Sequence, residues 1–294
     1  MTRSATDKRA ALAGAVRDGE LVVAPGVFEM ISARLADRCG FAALYLTGYG
    51  VAASHLGIPD AGLASFSDVL ERARVIATGT ETPLIVDADT GFGGLLNVRH
   101  IVQRFEAAGC AAAQLEDQET PKRCGLTDGV RVIPVEDMVK KIEVALDART
   151  DPNLLIIART DACSLLGLEA AVERGASYAS AGADLVFVQG IETETALTHA
   201  AERIDGPLLL NVAKPEGLGS LPPEKLAALG CSIAIYPGLG MLAATAAMNE
   251  AYDSLKRNGS LQALTVQLYD REAMHRLMGF EDVWEFEKRW LDES

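Results

Sequence analysis

Eight short β-branched or apolar runs, separated by segments with helical spacing, constrain this chain more than any other feature. They are Leu21–Ala24, Ala43–Leu46, Leu84–Ala88, Ala112–Leu115, Leu154–Ala158, Leu185–Val188, Leu208–Leu210 and Ile233–Tyr236. Most follow a helical segment that ends in a Gly turn, such as Arg38-Cys39-Gly40, Ala107-Ala108-Gly109, Ala181-Gly182 and Leu229-Gly230. Near-continuous apolar strands alternating with amphipathic helices imply a parallel sheet buried on both faces. Eight such units in a chain of 294 residues match the size of an α/β fold of the (β/α)₈ TIM-barrel type. A doubly wound open sheet is the competing arrangement. The expected organisation is a single barrel domain over residues 1–294, with 241–294 as a C-terminal helical extension. Met241–Arg257 and Leu261–Leu291 both keep helical spacing. They read either as terminal helices packed on their own barrel or as an arm exchanged with a neighbouring subunit.

Composition narrows the partners. A formal net charge of −14 opposes nucleic acid and anionic membranes, so neither is expected. Met1 to Arg9 are polar with no apolar run behind them, and no later run reaches membrane-spanning length. The expectation is a soluble cytoplasmic protein. Five cysteines, Cys39, Cys110, Cys124, Cys163 and Cys231, include no closely spaced pair of the metal or redox kind.

In a barrel, chemistry gathers at the C-terminal strand ends. Here those ends read Tyr45-Leu46-Thr47-Gly48-Tyr49, Asp87-Ala88-Asp89-Thr90, Gln114-Leu115-Glu116-Asp117, Arg159-Thr160-Asp161, Gln189 and Asn211. Solvated loop edges would bring Lys and Ser rather than this set, so one convergent site is expected. Asp87 and Asp89 are two residues apart, which lets both face one side, and Glu116 comes from the next strand. Carboxylates without His or Cys partners suit a hard cation such as Mg²⁺, with Mn²⁺ able to substitute. A turn-capping Asp89 and a solvated Glu116-Asp117 edge are the plainer alternative. Arg159 tips the reading, because its planar fork matches the carboxylate of a small-molecule substrate. Cys124 lies between adjacent cations and glycines in Lys122-Arg123-Cys124-Gly125, which suits a reactive thiol on a lid; the other cysteines read as apolar fillers. Gly48-Tyr49-Gly50-Val51-Ala52-Ala53 matches a dinucleotide fingerprint. Gly57 and Pro59 interrupt the helix it needs, and Asp68 falls in a helical pattern.

With these residues placed, the chain resembles the isocitrate lyase and phosphoenolpyruvate mutase superfamily, within it the methylisocitrate and dimethylmalate lyase branch. The resemblance covers nearly the whole chain. It rests on Tyr45-Leu46-Thr47-Gly48, Gly57-Ile58-Pro59-Asp60, Val86-Asp87-Ala88-Asp89-Thr90-Gly91, Glu116-Asp117-Gln118, Lys122-Arg123-Cys124-Gly125 and Ala158-Arg159-Thr160-Asp161-Ala162. It implies Asp87 as direct Mg²⁺ ligand, with Asp60, Asp89 and Glu116 holding the ion's waters. It also implies Thr47, Gly48 and Tyr49 as the substrate-carboxylate loop, Arg159 and Asn211 as substrate ligands, Cys124 as lid acid and Tyr45 as the resemblance's candidate base. The implied reaction breaks a carbon–carbon bond in a 2-hydroxy acid, and the implied assembly is a homotetramer with exchanged C-terminal helices. Two departures stand out: Leu126-Thr127 where related lyases carry His and a basic or polar residue, and Gln189 where they carry Glu. Both lie where the metal-distal part of the substrate would be read. Tyr236-Pro237 resembles lyases rather than oxaloacetate hydrolases, which tend to carry Ser there.

Overall fold

A computed structural model of the chain describes residues 3–125, 127 and 129–291. Eight parallel strands close into a barrel in sequence order: β1 Val22–Val27, β2 Leu44–Leu46, β3 Leu84–Asp87, β4 Ala112–Glu116, β5 Leu155–Thr160, β6 Leu185–Val188, β7 Leu208–Asn211 and β8 Cys231–Tyr236. β1 pairs with β8, which removes every sheet edge and excludes the open doubly wound arrangement. Alternation along the strands sorts the side chains into two cores. Val22, Ala24, Tyr45, Ile85, Ala112, Ile157, Leu185, Phe187 and Ile233 form one cluster, while Leu46, Val86, Ala113, Ile156 and Val186 join the larger one that includes helix residues such as Phe105, Met138 and Tyr178.

The helix Ala5–Arg17 adds Leu12, Ala13 and Val16 to the first cluster. The sequence marks its start with a Ser4–Asp7 capping box, a signal inside the stretch read only as polar. Lys8 donates to the Ala77 and Thr80 carbonyls and Arg9 to those of Glu106 and Cys110, so two buried cations satisfy carbonyls at helix C-terminal ends.

The chain divides into two compact units, Met1–Met241 and Leu242–Ser294. In the second, the continuous helical spacing expected over Leu261–Leu291 breaks into a short turn Leu261–Ala263 and the helices Arg271–Leu277 and Phe280–Trp290. Gly259 and Gly279 take left-handed backbone, and Asp270 caps the middle helix through the Ala273 N–H. No helix among the described residues is long and apolar enough to cross a membrane.

Candidate active site

The polar strand ends converge as their positions imply. Asp87 closes β3, Glu116 closes β4, and Arg159 lies opposite Glu116 in the β4–β5 register. All three are buried. Thr47 ends β2 by capping the turn Gly48–Val51 through the Gly50 N–H, and its own N–H is taken by the Val27 carbonyl. Gly48 lies so near the acids that a Cβ there would sit 3.2 Å from Asp87 Oδ2 and 3.3 Å from Asp89 Oδ1. The fingerprint turn runs only to Leu56 before left-handed Gly57, and Asp68 caps the helix Phe66–Gly79 with Ser65, so the dinucleotide match has no structural counterpart.

Two buried N–H donors fix Asp87. Gln114 Nε2 donates to Asp87 Oδ1 at 3.2 Å, and the Asp89 N–H donates to the same oxygen at 3.2 Å. Because its NH₂ faces a carboxylate, Gln114 presents its carbonyl to Tyr45, whose hydroxyl donates at 3.1 Å. Burial, reinforced by Asp87, pushes the Tyr45 phenol well above its ordinary range. In this metal-free site burial favours the protonated phenol, so a base role for Tyr45 would need that proton removed first.

Asp89 has left-handed backbone, uncommon outside Gly but tolerated by Asp. Lys122 pairs with both Asp60 and Asp89, the latter at 2.8 Å. Burial still pushes the Asp89 carboxyl up to about 7 against the pull of Lys122. Glu116 moves the same way, well above the carboxylate range, for the same first cause and despite Arg159. Burial opposes the charge on Lys122, but Asp89, Glu116, Asp87 and Asp60 together hold its pKa above the usual value.

Arg159 is gripped on two sides: Nη2 meets Asp161 Oδ1 at 2.7 Å and Nη1 meets Glu116 Oε2 at 3.3 Å, with Phe187 stacked 5.1 Å from the guanidinium. Its Nε is buried without an acceptor. Asp161 is held in turn, since its N–H donates to Asp117, which also accepts from Tyr178 and Arg174 of the helix Leu168–Ser180. Gln189 and Asn211 meet directly, Asn211 Nδ2 donating to Gln189 Oε1 at 3.1 Å. They border a cavity of about 160 Å³ lined also by Ile191, Val212 and Leu218.

The Cys124 segment reaches this cluster. A Cβ on Gly125 would fall inside 3 Å of both Arg159 Nη2 and Asp161 Oδ1. The Cys124 N–H donates to the Asp60 carbonyl at 3.0 Å. Leu126 lies outside the described residues. Cys110 and Cys231 are buried, their thiols pushed by burial up to about 12, as fillers should be; Cys39, read as a filler, is exposed at the end of its helix.

The donors fit a hard divalent cation that keeps most of its waters. Among the described residues no three acidic, His or Cys side chains meet at one coordination point. Yet Glu116 Oε1 is buried with no hydrogen-bond donor, and Asp89 Oδ1 has Lys122 nearby but no aligned donor. A metal held directly by one carboxylate and through water by the others would satisfy these oxygens. Reading strand ends found Asp87, Asp89, Glu116, Arg159, Gln189 and Asn211. It gave no role to Gln114, Gln118 or Asp161, and Lys122 was read only as a cation beside Cys124. Gln114 carried a usable signal, as the one polar residue inside the apolar run Ala112–Leu115.

The chain is similar to known proteins over nearly its whole length. The family model described as phosphoenolpyruvate phosphomutase matches residues 14–256. The chain is 40% identical to 2,3-dimethylmalate lyase of Eubacterium barkeri over 92% of its own length and 94% of the relative's. It is 38% identical to 2-methylisocitrate lyase of Shewanella oneidensis, covering 87% of each. Among solved structures, oxaloacetate acetylhydrolase bound to 3,3-difluorooxalacetate superposes with a TM-score of 0.90 at 32% identity, covering 97% of this chain and 98% of that one. A phosphonopyruvate hydrolase holding oxalate and Mg²⁺ gives 0.87 at 32%, with 99% and 100% covered.

Proposed function

The chain belongs to the phosphoenolpyruvate mutase and isocitrate lyase superfamily, and we propose that, as a carbon–carbon lyase of it, it cleaves a 2-hydroxy dicarboxylate of the 2,3-dimethylmalate type. The products are a 2-keto acid such as pyruvate and a second carboxylate. Asp87 is assigned as the direct ligand of Mg²⁺, with Asp60, Asp89 and Glu116 holding its waters. Bound there, the ion supplies charge stabilisation for the oxygens of the substrate's 2-hydroxy acid end.

The protein's own groups supply the rest. Arg159 Nε, a buried donor with no acceptor, is aimed at a substrate carboxylate. The first N–H groups of the turn at Gly48 and Tyr49 belong to a helix start, where such donors have no intrahelical partner, and they suit the other carboxylate. Tyr45 serves as a proton-bearing donor. When a base accepts the proton of the C2 hydroxyl and C2–C3 breaks, C2 becomes the keto carbon and the bonding pair stays on C3 as an enediolate. Cys124 donates its thiol proton to that carbon. Gly125 against Arg159 excludes water that would otherwise quench the intermediate.

The observation that most supports this reading is the meeting of the Cys124–Gly125 segment with Arg159 and Asp161 beside the carboxylate cluster. The dicarboxylate is favoured because the buried cations of this site, Arg159 and Lys122, already face acids, and Gln189 adds no charge. An oxaloacetate-acting enzyme would share the metal and the enolate chemistry but has no need of a thiol acid. A pyruvate-coupled assay over 2,3-dimethylmalate, 2-methylisocitrate, citramalate, isocitrate and oxaloacetate with Mg²⁺ tests the proposal; turnover of oxaloacetate alone would defeat it. We also infer a cytoplasmic homotetramer, supported by the aromatic face of Phe280–Trp290, where Trp284, Phe286 and Trp290 are exposed.

A further inference from the structure

Gln118 is buried to 1% exposure at the base of the segment that carries Cys124. Its backbone forms a single antiparallel bridge with Val132, and the Glu119 N–H donates to the Arg131 carbonyl at 2.9 Å, so this base is fixed to the returning strand of chain. The side chain turns to Arg123, five residues on. Its Nε2 donates to the Arg123 carbonyl at 2.9 Å, and its Oε1 accepts from the Arg123 N–H at 2.9 Å. One carboxamide thus reads both backbone groups of a single residue, as a strand neighbour would. No other residue type of this length offers a donor and an acceptor side by side. Both partners are backbone groups of the residue before Cys124, whose own N–H is held by the Asp60 carbonyl.

We propose that Gln118 is a positioning residue that clasps the Arg123 backbone and thereby sets where the Cys124 thiol stands; the catalytic consequence rests on the reading of Cys124 as proton donor. Both side-chain hydrogen bonds go to the Arg123 backbone rather than to the acids assigned to the ion, so its effect on turnover is to run through Cys124. Gln118→Met keeps the length and loses both bonds. Gln118→Glu keeps the acceptor for the Arg123 N–H but sets an oxygen against the Arg123 carbonyl, so it should fall between Met and wild type.

The test has two independent arms. In the ligand-free protein, the alkylation rate of Cys124 is measured by peptide mass spectrometry relative to exposed Cys39. The ratio should rise at least five-fold in Gln118→Met and less in Gln118→Glu; an unchanged ratio in both overturns the clasp. In turnover, Gln118→Met should lower kcat at least ten-fold with KM within about three-fold of wild type, and should add nothing in a Cys124→Ser background, since residues acting as one unit are not additive. A full further loss in that background overturns the claim that Gln118 acts through Cys124. Wild-type kcat in Cys124→Ser alone would defeat the proton-donor reading while the alkylation ratio still decides the clasp. If Gln118→Met does not fold, Gln118→Glu carries both arms.

Discussion

Adding one methyl group at Gly125 should disable the enzyme without unfolding it. A Cβ there falls inside 3 Å of Arg159 Nη2 and Asp161 Oδ1 and 3.2 Å from Gln189 Cγ, where ordinary contact begins at 3.4 Å. Neither neighbour can swing aside cheaply. Arg159 is tied to Asp161 at 2.7 Å and to Glu116 at 3.3 Å, and the Asp161 N–H is tied to Asp117 at 3.0 Å. The segment bearing Cys124 must therefore retreat. A displacement of about 1 Å at a reacting group costs roughly 10²-fold in rate, or about 2.7 kcal/mol of barrier. The assay is kcat/KM for Gly125→Ala on the preferred substrate, beside thermal unfolding and a Gly94→Ala control, where a Cβ meets nothing within 4 Å. Gly125→Ala should lose on the order of 10²-fold while its stability stays within about 0.5 kcal/mol, the usual range for a substitution outside the core. Turnover within about three-fold of wild type would show that the segment does not close on Arg159 during catalysis.

Mg²⁺ should raise the Tm of the wild type, Asp87→Ala should abolish both that rise and turnover, and excess chelator should stop the wild type; activity persisting in chelator would remove the metal from the reaction. The Tm rise itself should grow with pH. Burial raises Asp89 to about 7 from the ordinary carboxylate value of 3.8, and Glu116 is raised too, so the metal-free fold holds protons that the unfolded chain releases above about pH 4. Its stability from these groups therefore falls as pH climbs through that window, and an ion that needs both ionised stabilises more at pH 8 than at pH 6; an equal Tm rise at both would count against protonated acids in the metal-free site. Cys124→Ser should cost at least ~10² in kcat, the scale of a positioned general acid, with KM less affected. An unchanged kcat would favour oxaloacetate chemistry. Finally, kcat/KM for 2,3-dimethylmalate should exceed that for 2-methylisocitrate, and a ten-fold preference the other way would show that some cation answers a third carboxylate.

What the sequence makes legible follows from how local each signal is. The strands stand out because a parallel strand buried on both faces must be apolar along its length, and their polar C-terminal residues then mark the site. Asp87, Glu116 and Arg159 need only their strand position to be placed. Lys122 could not be paired with Asp60 by spacing, since 62 residues separate them and neither lies in a regular element. The Gln118 clasp was hidden for another reason: it depends on the path of an irregular segment, which no periodicity encodes. The C-terminal pattern misled because helical spacing continues from Leu261 across Gly279, while the chain breaks before Arg271 and at Gly279. Cys39 misled because a thiol's burial depends on which face its helix end presents.

Charge balance links the site's parts more tightly than any one contact. With every acid ionised, Asp60, Asp87, Asp89, Glu116 and Asp161 set five negative charges against the two positive ones of Lys122 and Arg159, three in excess, which protons on Asp89 and Glu116 reduce in the metal-free site. Like charges about 4 Å apart repel by roughly 4 kcal/mol at the effective dielectric of such sites, so a dianionic substrate could not enter without relief. A divalent cation offsets its two charges and leaves the cluster no worse than before. A trianion brings one charge more, and the two cations that could answer it are already engaged. Protonation of Asp89 or Glu116 would supply relief only by weakening the hold on the ion's waters. The same arithmetic that calls for the metal therefore disfavours the larger substrate, and it ties the choice of substrate to residues on β3, β4 and β5 as much as to the pocket at Gln189 and Asn211.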